Sequence, residues 1–149
     1  MPRHMPQAMK GRAYEAFRIA AGRHLPAGTH LEKVTFLGEG LHRKTWCGLF
    51  RRPDASLVEW VAQVPRPTCD DSDLDRFGRE LELLGALEDR LRGVEVPRVV
   101  DCIEVAEVPV NLTTRCRGAT VDMTGQLAEP ARAAEVIGCV AAAVHAVDP

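Results

Sequence analysis

Residues 31–64, LEKVTFLGEGLHRKTWCGLFRRPDASLVEWVAQV, decide the fold. The stretch holds three short runs rich in β-branched and aromatic residues, 31–37, 45–50 and 57–64. The connections GEGLHRK and RRPDAS carry the glycine, proline and aspartate of turns. Both are far shorter than the crossover that parallel strands require. The stretch therefore predicts a three-stranded antiparallel meander.

Working outward, PRPTCDDSD (65–73) is a polar loop whose aspartates suit a helix start. The next twenty residues, DLDRFGRELELLGALEDRLR (73–92), place Leu74, Phe77, Leu81, Leu84, Leu87 and Leu91 at spacings of three and four. That periodicity predicts a long helix with one stripe against a core. Two more strands, 98–105 and 108–116, are separated by Ala106 and Glu107 alone, as in a tight hairpin. A helix over 12–23 precedes the meander and ends at Pro26-Ala27-Gly28; another, over 131–146, opens with Pro130. The order αβββαββα predicts an α+β fold with a five-stranded antiparallel sheet. The chain divides into a helical extension (1–30), the sheet lobe (31–118) and a C-terminal piece (119–149).

Composition agrees with a folded domain: 149 residues, 46% hydrophobic and 27% charged, exclude disorder and fibrous repeats. Nineteen Lys and Arg against 21 Asp and Glu give a net charge of -2, which argues against nucleic acid or an anionic membrane as the main partner. The first residues lack an apolar run long enough for a signal peptide or membrane span. Five cysteines, Cys47, Cys69, Cys102, Cys116 and Cys139, form no Cys-x-x-Cys pair and read as reduced thiols of a cytoplasmic protein. The five histidines stand next to no carboxylate or cysteine at ligand spacing, so no metal site is expected.

Chemistry centres on Gly38 and Gly40. Glycines between two strands let backbone amides approach phosphate oxygens, and they equally make a plain hairpin turn. A glycine loop, a further strand, a Glu-bearing helix and a hairpin follow one another in the order of a kinase small lobe. The wording VTFLGEG, WVAQVPRP, GRELELLGAL, VPRVVDCIEV and LTTRCRGATVD resembles the aminoglycoside phosphotransferase family, from about residue 31 to 149. PARAAEVIGCVAAAVHAVDP resembles the helix that begins that family's large lobe.

The resemblance implies roles residue by residue. Gly38 and Gly40 would cover the phosphates of ATP, bound with magnesium, and Val61 would lie against the adenine. Gln63 stands where the family has a phosphate-contacting Lys or Arg, and a neutral amide hydrogen-bonds a phosphate without neutralising it. Glu80 would be the helix carboxylate that pairs with that cation. It falls within the apolar arc of its helix, as does Glu88, so geometry alone leaves both open. Arg66 offers a substitute charge or is merely solvated; His42, Arg43 and Lys44 offer charge to phosphates on the same terms. Thr114, Arg115 and Cys116 would form the adenine-binding hinge, with Cys116 equally readable as a small buried hydrophobe.

The family's activity is transfer of the ATP γ-phosphoryl group to a small-molecule hydroxyl. It needs a His-Gly-Asp-like loop and a magnesium-binding Asp, and neither occurs in these 149 residues. The expectation is a truncated or degenerate phosphotransferase, inactive as this chain. The alternative is a non-catalytic interaction module that reuses the lobe and self-associates through its last helix.

Overall fold

A computed structural model describes residues 5–88, 90, 91, 95–117 and 142. Helix α1 (Met5–His24) leads into the strands β1 (His30–Glu39), β2 (Arg43–Arg51) and β3 (Leu57–Pro65). Helix α2 (Asp71–Leu87) and the strands β4 (Val99–Val105) and β5 (Val108–Thr114) follow. All five strands form one antiparallel sheet in the order β1-β2-β3-β5-β4. The α+β fold, meander and second hairpin are those the sequence predicts. The helix expected over 131–146 lies, apart from Ala142, outside the described residues.

The turns explain the topology. Gly40 and Arg43 close the β1–β2 turn, the Gly40 amide donating to the Arg43 carbonyl at 2.8 Å. In the β2–β3 turn the Asp54 carboxylate accepts from the Ser56 amide and Ala55 takes a φ of 66°. Ala106 and Glu107, at φ 49° and 61°, form the two-residue β4–β5 turn. Two successive residues at positive φ match the right-handed twist of the strands they join.

Alternation along each strand gives the sheet two different faces. Trp46, Gly48 and Phe50 of β2 share one face with Trp60, Ala62 and Val64 of β3, Val110 and Leu112 of β5, and Ile103 of β4. Helix α1 covers this face with Met9, Ala13, Ala16, Phe17 and Ala20, all buried. Three alanines let the helix backbone approach, and the aromatic rings fill the space beside them. Phe17 meets Phe50 edge-on at 5.7 Å, and Phe50 lies 4.9 Å from Trp60. Beneath the Phe17 ring sits Gly48, where a Cβ would come within 3.0 Å of it. The α1 C-terminus is pinned to β4, where Asp101 accepts from Arg23 at 3.2 Å and bonds His24 at 2.8 Å.

The opposite face carries Arg43, Thr45 and Cys47 of β2, Val61 and Gln63 of β3, and Asn111 and Thr113 of β5. Helix α2 packs here through a thinner contact. It begins in a reciprocal capping box between Asp70 and Asp73, as its run of aspartates suggests. Among its residues Phe77 alone is fully buried, while Leu74, Leu81, Leu84 and Leu87 are half-buried. The helix ends five residues earlier than expected, at a C-cap on Glu88. A side-chain tie reinforces the contact: Asn111 is fully buried and its Nδ2 donates to the Phe77 carbonyl at 2.9 Å.

Candidate functional site

The α2-side face brings together Val61, Gln63 and Glu80 of the residues singled out from sequence. Gln63 lies in register with Thr45 and Asn111, and Val61 with Cys47 and Thr113, so Val61 and Gln63 share a face as the period of two requires. Glu80 projects from α2 toward the same place and is half-buried. It is bridged to Gln63 by Arg43, whose Nη1 donates to Glu80 Oε2 at 2.5 Å and to Gln63 Oε1 at 2.9 Å. The cation beside Gln63 thus comes from the first residue of β2.

The other charges sort themselves by face and reach. Glu88, the second carboxylate of the helix's apolar arc, pairs instead with Arg98 at 3.6 Å, away from Gln63. Arg66 and Lys44 both bind Glu39, at 2.8 and 3.3 Å, so neither serves as the partner of Glu80. His42, at the tip of the β1–β2 turn, places Nδ1 3.8 Å from Asp73 Oδ1.

A cleft of about 250 Å³ opens between that turn and the N-terminal half of α2. Gly40, Leu41, His42 and Arg43 line one side, with Asp73, Arg76, Phe77 and Glu80 on the other. Arg43 and Glu80 neutralise each other, whereas the Arg76 side chain forms no hydrogen bond or ion pair among the described residues. The cleft is therefore balanced in charge, with the Arg76 guanidinium unpaired among the described residues and the Asp73 carboxylate on the same wall. Of the two turn glycines, Gly38 sits at a register shift opposite Thr45, and Gly40 spends its amide on closing the turn.

At the far end, Thr114 is the last residue of β5, in register with Trp60 of the α1-side face, and Arg115 and Cys116 follow it out of the sheet. The Thr114 amide donates to the Arg98 carbonyl at 2.8 Å and the Arg115 amide to the Glu59 carbonyl at 3.4 Å. The Arg115 side chain folds back onto Glu59 at 2.7 Å, beside the buried Cys47. Burial, reinforced by the Glu59 charge, pushes the Cys47 thiol above its ordinary pKa. Cys116 is half-buried with its Sγ 3.7 Å from the Glu95 carbonyl, and its thiol is likewise pushed up by burial and by Glu95. Both thiols are held in the protonated, weakly nucleophilic form.

Two features escape a reading of the sequence. Asn111 appears in it only as a polar residue within an apolar strand, yet it is the buried link between β5 and α2, with its Oδ1 left without a partner among the described residues. His42, Cys69 and Asp73 are dispersed in sequence, and folding brings one donor atom of each to within 4.8 Å of the others. Cys69 and Asp73, four residues apart around the start of α2, were the visible part of that cluster.

No protein-family model matches the chain, and no curated protein matches it.

Proposed function

We propose that the chain is a nucleotide-binding lobe of the kind found in aminoglycoside-phosphotransferase-like kinases, with the triphosphate of MgATP held in the cleft between the β1–β2 turn and α2. The observation that carries this reading is the Gln63–Arg43–Glu80 link beside the uncommitted Arg76. In those kinases a strand cation, fixed by a helix carboxylate, meets the phosphates. Here Arg43 takes the place of that cation and Glu80 of that carboxylate. Arg76 offers a phosphate a guanidinium that has no protein partner among the described residues, since a fully paired Arg43 adds none, and the Asp73 carboxylate of the same cleft offsets its charge. The adenine would lie along Val61, toward Thr114, Arg115 and Cys116.

Thermal denaturation of the 149-residue chain with increasing MgATP tests the reading. A ligand that binds only the folded state raises Tm with its concentration. The expected outcome is a rise at millimolar MgATP that Arg76→Ala reduces, and the absence of a rise would remove the nucleotide from the proposal.

A second reading, an interaction module, has one observation in its favour. Edge strand β1 and its turn expose Phe36, Leu37 and Leu41, the last 80% accessible, beside a strand edge that is unpaired among the described residues. A clean monomer by sedimentation at high concentration would argue against self-association through this edge.

A further inference from the structure

We propose that His42, Cys69 and Asp73 form a three-ligand site for a zinc ion at the mouth of the α2 cleft. The inference does not rest on nucleotide binding. Its basis is one nitrogen, one sulfur and one oxygen donor, all within 4.8 Å of one another, drawn from a turn, a loop and the first turn of a helix. Ligands on a tetrahedral zinc stand about 3.3–3.8 Å apart, given bonds of about 2.0–2.3 Å. The His42 Nδ1 to Asp73 Oδ1 distance is already 3.8 Å. Closing the rest takes a movement of about 1 Å by exposed or half-buried side chains.

The surroundings hold these donors in place. Asp73 spends Oδ2 on the Asp70 amide at 3.2 Å, within the capping box, which leaves Oδ1 turned toward His42. Such hydrogen bonding of a carboxylate by its non-ligating oxygen is the usual support of a metal site. The loop bearing Cys69 is tied to the turn bearing His42 by the Arg66 amide, which donates to the His42 carbonyl at 2.8 Å. The Cys69 amide donates in turn to Arg66 at 3.0 Å, and the Cys69 thiol lies 3.0 Å from the same His42 carbonyl.

Donor chemistry selects the ion. Magnesium and calcium need several oxygen ligands, and one carboxylate beside a thiol and an imidazole does not provide them. A mixed nitrogen, sulfur and oxygen set suits zinc. On binding, the Cys69 sulfur–hydrogen bond breaks, its proton passes to solvent and the thiolate sulfur bonds the metal. Three protein ligands leave the fourth position open. His42 and Asp73 also line the cleft, so a bound ion would stand beside it.

Cobalt(II) reports on the site in the intact chain. Titration should give one cobalt per chain, with thiolate-to-cobalt charge-transfer absorption that zinc displaces. Cys69→Ser should abolish that absorption, and His42→Gln and Asp73→Asn should weaken binding by about tenfold or more. Asparagine retains an acceptor for the Asp70 amide, and circular dichroism checks that the variants stay folded. As a measurement free of substitutions, zinc should slow alkylation of Cys69 while leaving exposed Cys102 unaffected. Absence of the charge-transfer band in the unaltered chain, its survival in Cys69→Ser, or equal Cys69 alkylation with and without zinc would overturn the proposal.

Discussion

Arg43 holds its charge between an amide and a carboxylate, at a position where both it and Glu80 are about one-third exposed. Solvent screens part of their attraction, so the pair contributes less than a buried one. Geometry restores some of it, since one guanidinium nitrogen serves two acceptors on two different elements. A double-mutant cycle with Arg43→Ala and Glu80→Gln should give a coupling of about 0.5–1 kcal/mol in chemical denaturation. A coupling indistinguishable from zero would mean that the link does not hold α2 to the sheet. The position of Glu80 within its helix's apolar arc was legible in the sequence, because helical period alone assigns the face. Its partner was not: Arg43 reaches it only because the β2–β3 register sets Thr45, two residues on, opposite Gln63. Chain separation carries no such information.

At the scale of elements, the helices are fastened by different chemistry. The α1 C-terminus is tied by Asp101, whose burial raises its pKa. Hydrogen bonds from His24 and Arg23 outweigh that, and the carboxyl titrates below its ordinary value. A carboxyl depressed in the folded state contributes stability that is fully present above the ordinary Asp range, near pH 4. That contribution is lost as pH falls through the lower folded value. Asp101→Asn should therefore cost about 1 kcal/mol at neutral pH. The variant and the unaltered chain should converge in stability under acid, as urea melts across the pH range would show. The β4–β5 turn is strained in the opposite sense, with Glu107 in the left-handed region that favours glycine. Glu107→Gly should raise the urea midpoint by an amount equivalent to about 0.5–1 kcal/mol, and a fall would mean that the side chain has a contact outweighing the strain. Elements with short apolar runs and turn residues at both ends were predicted to within a few residues. The α1 start was not. It lies at Met5 rather than residue 12, because the segment before it has neither a capping residue nor a regular apolar period, and Met9 is fixed only by the sheet it covers.

Over the whole molecule, the two faces of the sheet divide stability from chemistry. The α1 side is a core of aromatic and aliphatic side chains. The α2 side carries Arg43, Gln63, Glu80, Asn111 and the cleft, and its helix buries Phe77 alone. Burial of Met9 and Phe17 contributes roughly 3–6 kcal/mol, a large share of the roughly 5–15 kcal/mol that holds a typical domain together. The helix that sequence alone sets apart as an extension thus supplies one wall of the sheet's core. Deleting residues 1–24 should leave Trp46, Phe50 and Trp60 facing water and abolish cooperative thermal unfolding. The same deletion should sharply increase binding of a hydrophobic dye. Asn111→Ala, by contrast, should loosen α2 first, raising amide exchange across 71–87 while the α1 amides stay protected. If the shortened chain melts cooperatively, or if the Asn111 variant deprotects both helices equally, the faces are not independent and the division fails.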